Sequence, residues 1–325
     1  MASSIEISVI VTAHSRREFL KQALISLSTQ TLSRELFEVI VVKNFEDDGI
    51  DNLISSLGYI TILVPVDSTI GLDLYLGIDK AKGQIICFLD DDDIFVNGKL
   101  SRIKEIFKRI EVGCIKNNIF FMDKAGQKLE KGMRMQINRS QFIGPGKLKG
   151  KAAYFNRIRA DFNLSSMSVR KLILLPYLKQ IRENLEASPD TFVFCAALSS
   201  GLGIYFERDH LTGYRFHDST SRFIENDENS MKRAFNQWNK QIENYNRFLN
   251  TFYPFAASFL NTRILSQKLT TSIRRLESEM VNASLPEQPL QYLLSSLRKK
   301  DILLVYDSIR YFLMTRKVAH LVNKN

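Results

Sequence analysis

The sequence predicts an α/β protein with a mostly parallel sheet flanked by helices, followed by an all-helical C-terminal region. Three observations carry this. Short β-rich apolar runs alternate with amphipathic helical segments over the first third of the chain. Four consecutive carboxylates, Asp90, Asp91, Asp92 and Asp93, stand where the fourth of those runs should end. From Glu228 onward only helical periodicity remains.

In order, Ile5–Thr12 reads as the first strand, with no basic stretch before it to suggest a signal peptide. A helix patterned by Phe19, Leu20, Ala23, Leu24 and Leu27 follows. Phe37–Val42 is a second strand, Asp51–Leu57 a short helix, and Tyr59–Val64 a third strand stopped by Pro65. Leu72–Ala81 is helical and closed by Gly83 as a C-terminal glycine, with Asp73 expected to face solvent, its functional alternative being a ligand contact. Ile85–Leu89 is the fourth strand, and Lys99–Ile110 the helix after it. Gly113–Met122 is strand-like, and Lys124-Ala-Gly-Gln resembles a hairpin turn. Arg139–Lys151 reads as a glycine-rich basic connection, with a mobile lid as its functional alternative. Gly203–Glu207 and Leu211–Phe216 complete the strands; Met231–Leu249, Asn261–Val281 and Leu290–Leu321 are helical. The expected domains are an α/β unit at residues 1–227 and a basic helical region at 228–325.

Composition narrows the class. Apolar residues at 45% and charged residues at 25% suit a globular protein with a substantial core. Cys87, Cys114 and Cys195 are odd in number and each lies in an apolar run. They read as buried thiols in a reducing compartment, neither a disulfide framework nor a zinc site. The longest apolar stretch, Thr191–Phe206, is too short and too interrupted to span a bilayer, so a cytoplasmic protein is expected. Of the formal charge of +10, Met231–Asn325 carries +9, from 15 Lys/Arg against 6 Asp/Glu. Those helices are expected to pack on themselves or on another copy. Their sharper reading is peripheral contact with the cytoplasmic membrane face, where basic residues meet anionic lipid.

The acidic cluster is the chemical centre of the chain. Four adjacent negative charges repel one another unless something positive relieves them, and ligands of open α/β sheets sit beyond the strand C-termini. Oxygen-only ligands on a tight turn suit Mg²⁺ or Mn²⁺ bridging substrate phosphates.

At this point the residues carry a resemblance. Ser8-Val-Ile-Val-Thr-Ala-His-Ser-Arg, Val39-Ile-Val-Val-Lys-Asn and Ala81-Lys-Gly-Gln-Ile-Ile-Cys-Phe-Leu-Asp-Asp-Asp-Asp, in this order and spacing, resemble the family 2 glycosyltransferases of the GT-A fold over residues 5–220. The resemblance implies an inverting transferase that uses a nucleotide-diphosphate sugar and a divalent metal. It implies that Thr12, Ala13, His14 and Arg16, with Asn44, hold the nucleoside, and that Asp90 and Asp91 reach ribose or metal-bound water. Asp92 is the implied direct metal ligand, and Asp190 the base that deprotonates the acceptor hydroxyl. Tyr214-Arg-Phe-His matches a segment that folds over the diphosphate, where His217 would bind metal or phosphate within a cluster of Arg215, Ser219, Ser221 and Arg222. The chain departs from the pattern at His14, where an aromatic is usual, at Asn44 in place of an Asp, and at Pro189 in place of the Glu that precedes the base. Those departures leave the identity of the nucleobase open. The expected acceptor is a glycan or a lipid-linked sugar.

Other classes are carried alongside. A nucleotidyltransferase also uses acidic residues and Mg²⁺, but calls for a glycine-rich phosphate loop that Ala-His-Ser-Arg-Arg does not provide. A binding protein that has lost catalysis fits Pro189 and Asn44. Nucleic acid is not an expected partner, since the basic tail contains no recognised module.

Overall fold

The computed structural model describes residues 4–14, 17–130, 136–216, 228–252, 254–278, 289–299 and 301–322. These form two compact units, one of Met1–Lys149 with Ala160–His217, the other of Gly150–Arg159 with Asp218–Asn325.

The first unit is built on a nine-stranded sheet. Its parallel half comprises β1 (Ile7–Ala13), β2 (Phe37–Lys43), β3 (Ile60–Leu63) and β4 (Ile85–Asp90), ordered β3-β2-β1-β4. β1 and β2 are buried along their whole length, which is why both read as continuous apolar runs; β3, at the edge, alternates. The helices between them are α1 (Leu20–Ser28), α2 (Asp48–Ser56) and α3 (Ile70–Lys80). Asp47 caps α2 by accepting the Ile50 N–H at 3.0 Å, and Thr69 caps α3 through the Leu72 N–H at 3.2 Å.

Beyond β4 the sheet changes sense. Further along the chain come the two-residue β5 (Ile94–Phe95), α4 (Lys99–Phe107), β6 (Val112–Met122), β7 (Gln141–Ile143), α5 (Ala152–Arg157) and β8 (Met167–Arg170). Then follow α6 (Leu178–Asn184), α7 (Pro189–Ser199) and β9 (Gly203–Arg215). β8 pairs antiparallel with both β4 and β6, and β9 runs parallel to β6. The two short strands expected at 203–216 are therefore one long strand, with irregular register opposite Asn117 and Asn118. Within 139–151, residues 141–143 ladder onto β9, so this part of the connection belongs to the sheet. Gly126, at φ +89°, turns the chain after β6, and the Asp123 N–H reaches Gln127 O at 2.9 Å, as the hairpin expectation requires.

Gly83 has a different task from the one its position suggests. Its φ is not left-handed, and α3 already ends at Lys80. A Cβ at Gly83 would lie 2.6 Å from Ile7 C and Ser8 N, so the glycine lets the chain pass against β1 as it enters β4.

The register sets up one level at the top of the parallel half. Thr12 lies beside Asp90, and Ala13 beside Lys43. The residues that follow, His14, Asn44 and Asp91–Asp93, are thereby brought to one edge.

The second unit holds α5 together with α8 (Glu228–Phe248), α9 (Pro254–Ser278), α10 (Pro289–Lys299) and α11 (Ile302–Val322). Leu265, Leu269, Ile273, Leu304 and Tyr311 form its core. Asn156 of α5 donates to Asp301 Oδ2 at 2.9 Å and accepts from Arg263 at 3.3 Å. Leu294, Leu297, Tyr306, Ile309 and Leu313 are exposed. Among the described residues no helix is long and apolar enough to cross a membrane.

Candidate active site

The tight turn after β4 sorts its four carboxylates. Asp93 N–H closes the turn on Asp90 O at 3.1 Å. Asp91 and Asp93 are buried, while Asp90 and Asp92 are half-buried at the edge. Asp91 points back to β1 and accepts the His14 N–H at 3.2 Å. Asp93 points the other way, accepting from Asn163 Nδ2 at 2.6 Å and from the Arg215 N–H at 3.1 Å. One oxygen from each of Asp90, Asp92 and Asp93 falls within 4.8 Å of the others. Burial, and then the neighbouring Asp92 charge, push the Asp93 carboxyl up to about 7, against hydrogen bonds from Ser165, Asn163 and Arg215.

On the β1–β2 side, Thr12 and Ala13 lie buried within the strand, and His14 is about half exposed. Asn44 is buried; its Nδ2 lies 3.2 and 3.3 Å from the His14 ring nitrogens and donates to Val66 O at 2.9 Å. Asp73, expected to face solvent, is instead 1% exposed, with Oδ2 4.0 Å from His14 Nδ1. Its carboxyl pKa is raised by burial, which Ser68 and His14 oppose.

On the other side of β4, Asp190 occupies the first turn of α7. It accepts the Asn163 N–H at 3.2 Å and the Thr191 N–H at 2.8 Å. Pro189 is the first helical residue, a position where a missing N–H costs nothing, so it starts the helix and leaves Asp190 in the positive end of its dipole. Asn163 thus ties the acidic turn to Asp190, one through its side chain and the other through its backbone. It does so at φ +68°, ψ +107°, a conformation few residues tolerate.

Two buried lysines hold the segment beneath. Lys116 Nζ donates to Phe162 O and Ser166 Oγ, and Lys99 Nζ to Ser165 O and, at 2.9 Å, to Thr212 Oγ1. Burial pushes Lys116 down to about 8 against the pull of Asp190 and Asp161, and Lys99 down to about 7. Arg215 faces inward: its guanidinium donates to Asp92 O at 2.8 Å, Gln22 Oε1 at 2.7 Å, Lys124 O at 2.8 Å and Asp123 O at 3.2 Å. It braces the acidic turn. Arg16, His217, Ser219, Ser221 and Arg222 lie outside the described residues.

Asn163, Lys99, Lys116 and the inward role of Arg215 were not anticipated from the sequence, and Asp93 was expected only as a member of the acidic cluster. The one available signal was the solitary Asn ahead of the Ser-rich run, a residue type suited to positive φ.

Residues 8–169 match the family described as glycosyl transferase family 2. That segment is a family 2 glycosyltransferase domain. An uncharacterised glycosyltransferase of Rickettsia bellii is 25% identical over 277 residues, which make up 82% of this chain and 36% of that protein. One of Nostoc sp. is 27% identical over 123 residues, covering 36% and 38%. The chain thus spans little more than a third of these relatives. Among solved structures, residues 1–349 of TarS from S. aureus align with a TM-score of 0.58 at 14% identity, covering 93% of this chain and 89% of that one. The mannosyltransferase PcManGT from Pyrobaculum calidifontis, in complex with GDP-Man and Mn²⁺, aligns with a TM-score of 0.54 at 14% identity, covering 98% and 88%. At these identities the likeness establishes the GT-A fold. TarS has also been solved with UDP-GlcNAc.

Proposed function

We propose that this glycosyltransferase is inverting. It moves a sugar from a nucleotide-diphosphate sugar to a hydroxyl of a glycan or lipid-linked acceptor, with Mg²⁺ or Mn²⁺. The observation that carries the reading is the linkage at the end of β4. Three carboxylates converge within 4.8 Å, and Asn163 joins that turn to Asp190. The neighbours' complexes with UDP-GlcNAc and with GDP-Man and Mn²⁺ support a donor of this class.

The residues suit a divalent cation. The donor set is all oxygen, and Asp93 is protonated more readily than an ordinary carboxylate because burial and Asp92 oppose its charge. A cation held by Asp90, Asp92 and Asp93 removes that conflict and, when bound, supplies charge neutralisation to a leaving diphosphate. His14 and Asn44 lie where a nucleoside meets the β1–β2 edge, His14 offering a ring to stack on the base.

The rest of the chemistry falls to the chain. The Asp190 carboxylate takes the acceptor hydroxyl proton as that oxygen bonds to the anomeric carbon. The bond from that carbon to the diphosphate breaks, and its electron pair leaves with the nucleotide. Attack from the face opposite the leaving group inverts the configuration, and no enzyme nucleophile is needed. Two backbone N–H groups and the positive end of the α7 dipole hold the Asp190 carboxylate in orientation.

The test is a thermal-shift panel of UDP-, GDP- and dTDP-sugars with and without Mn²⁺. A metal-dependent rise in midpoint for one base is expected, because a ligand of the native state stabilises it. No rise with any nucleotide would refute the proposal.

A further inference from the structure

We infer that Phe121, Phe162, Tyr214 and Phe216 form an acceptor platform that receives the C–H face of a pyranose ring. This rests on the transferase reading of the acidic turn and gives its acceptor a chemical class.

The rings converge from separate parts of the chain. Phe121 comes from β6, Tyr214 from β9, Phe216 from just beyond β9, and Phe162 from the segment before β8. Phe121 meets Tyr214 edge to face at 5.7 Å and Phe216 at 6.2 Å, and Phe162 lies tilted against Tyr214 at 5.3 Å. The Phe216 N–H bonds to Met122 O at 2.8 Å, which holds the end of the cluster beside β6. None of the four belongs to the main apolar core, and Phe216 is 48% exposed with the other three half-buried. An aromatic group serving only to fill the interior would not be left this wet.

Its surroundings point to the ligand. Tyr214 and Phe216 flank Arg215, whose backbone N–H donates to Asp93 at 3.1 Å, and Phe162 immediately precedes Asn163, which donates to Asp93 at 2.6 Å and to Asp190 at 3.2 Å. The platform therefore adjoins the donor-metal carboxylates and the base together. Sheet order separates it from the nucleoside edge: β1 and β2 lie on one side of β4, β8, β6 and β9 on the other. A nucleobase held by His14 and Asn44 is thus not the occupant. An aliphatic chain is a poor one, because it would desolvate carboxylates without giving them a partner. A pyranose offers both needs at once. Its polarised C–H bonds meet the negative ring faces, and its hydroxyls face the acids.

Saturation-transfer NMR on the intact chain with Mg²⁺ tests this, using methyl β-D-glucopyranoside, methyl β-D-galactopyranoside and the methyl β-glycoside of N-acetylglucosamine, with n-hexanol as the aliphatic control. Saturation should reach ring C–H protons of at least one pyranoside. Phe216→Ala should weaken that binding about three- to tenfold, the range for an aromatic contact, and Phe216→Trp should restore it. Thermal shift with UDP and GDP plus Mn²⁺ runs in parallel, and the Phe216 variants should keep the wild-type response. No transfer to any pyranoside, stronger transfer to hexanol, or affinity indifferent to both Phe216→Ala and Phe121→Leu would overturn the inference. If pyranosides bind through these rings while no nucleotide shifts the midpoint, the platform stands as a carbohydrate site and the transferase reading falls.

Discussion

Replacing Asn163 separates two contributions that its position combines. Its Nδ2 bond to Asp93, at 2.6 Å, goes to a buried carboxylate, and such a charge-assisted bond is worth about 1.5–3 kcal/mol. Its backbone, at φ +68°, costs a residue with a Cβ about 1 kcal/mol more than glycine. Asn163→Ala loses the bond and keeps the strained backbone, so a loss of about 3 kcal/mol is expected. Asn163→Gly loses the same bond but relaxes the backbone, and should recover about 1 kcal/mol of that. Both variants retain the N–H that meets Asp190, so the difference between them isolates the backbone. Urea unfolding followed by circular dichroism measures both losses, and the single tryptophan, Trp238 in α8, reports separately on the helical unit. An alanine variant as stable as the glycine variant would refute the strain argument. Two variants as stable as wild type would refute the role given to the Asp93 bond.

Three further outcomes are expected. Asp190→Asn should lower turnover by about 10²–10⁴-fold, the range for a general base, while nucleotide thermal shifts persist; unchanged turnover would assign the proton elsewhere. Arg215→Lys cannot serve all four acceptors now held by the guanidinium, and with two carbonyls stranded it should lose about 3 kcal/mol in urea unfolding; a loss below about 1 kcal/mol would mean water takes over those carbonyls. Lys99, pushed down to about 7 by burial, is protonated below pH 7 whether folded or unfolded, and between pH 7 and 9 only the unfolded chain keeps the proton. Folded stability should therefore rise over that interval by on the order of 1–2 kcal/mol relative to Lys99→Met, and level off below pH 7, where both states hold the proton; parallel pH profiles for the two proteins would contradict the assignment.

Much of the parallel half was legible because its signals are local. A strand buried on both faces must be apolar throughout, so β1, β2 and β4 announced themselves, and four acids after an apolar run marked the site. What escaped depends on partners far along the chain. Asp73 sits at an ordinary helical position, and only the packing of α3 turns its carboxylate inward toward His14. Lys99 and Lys116 look like surface residues until the chain near Ser165 and Ser166 closes over them. Gly83 read as a helix terminator because glycine suits that task; its reason for being there is the β1 backbone, some 75 residues earlier in the chain. Arg215 illustrates the same limit, since a cation beside acids suggests phosphate binding, whereas its fork is filled by carbonyls and one amide.

The short helix α5 gives the chain an interleaved construction. It is encoded between β7 and β8 of the sheet unit, yet Phe155 and Asn156 are buried in the helical one, and Asn156 bonds Arg263 and Asp301. A stop codon after residue 217 would therefore not deliver a clean sheet fragment. It would leave an apolar helix with nothing to lie on in the middle of a retained polypeptide, and such a fragment should prove sticky in solution. Any effort to express the sheet unit by itself will need residues 150–159 bridged by a polar linker.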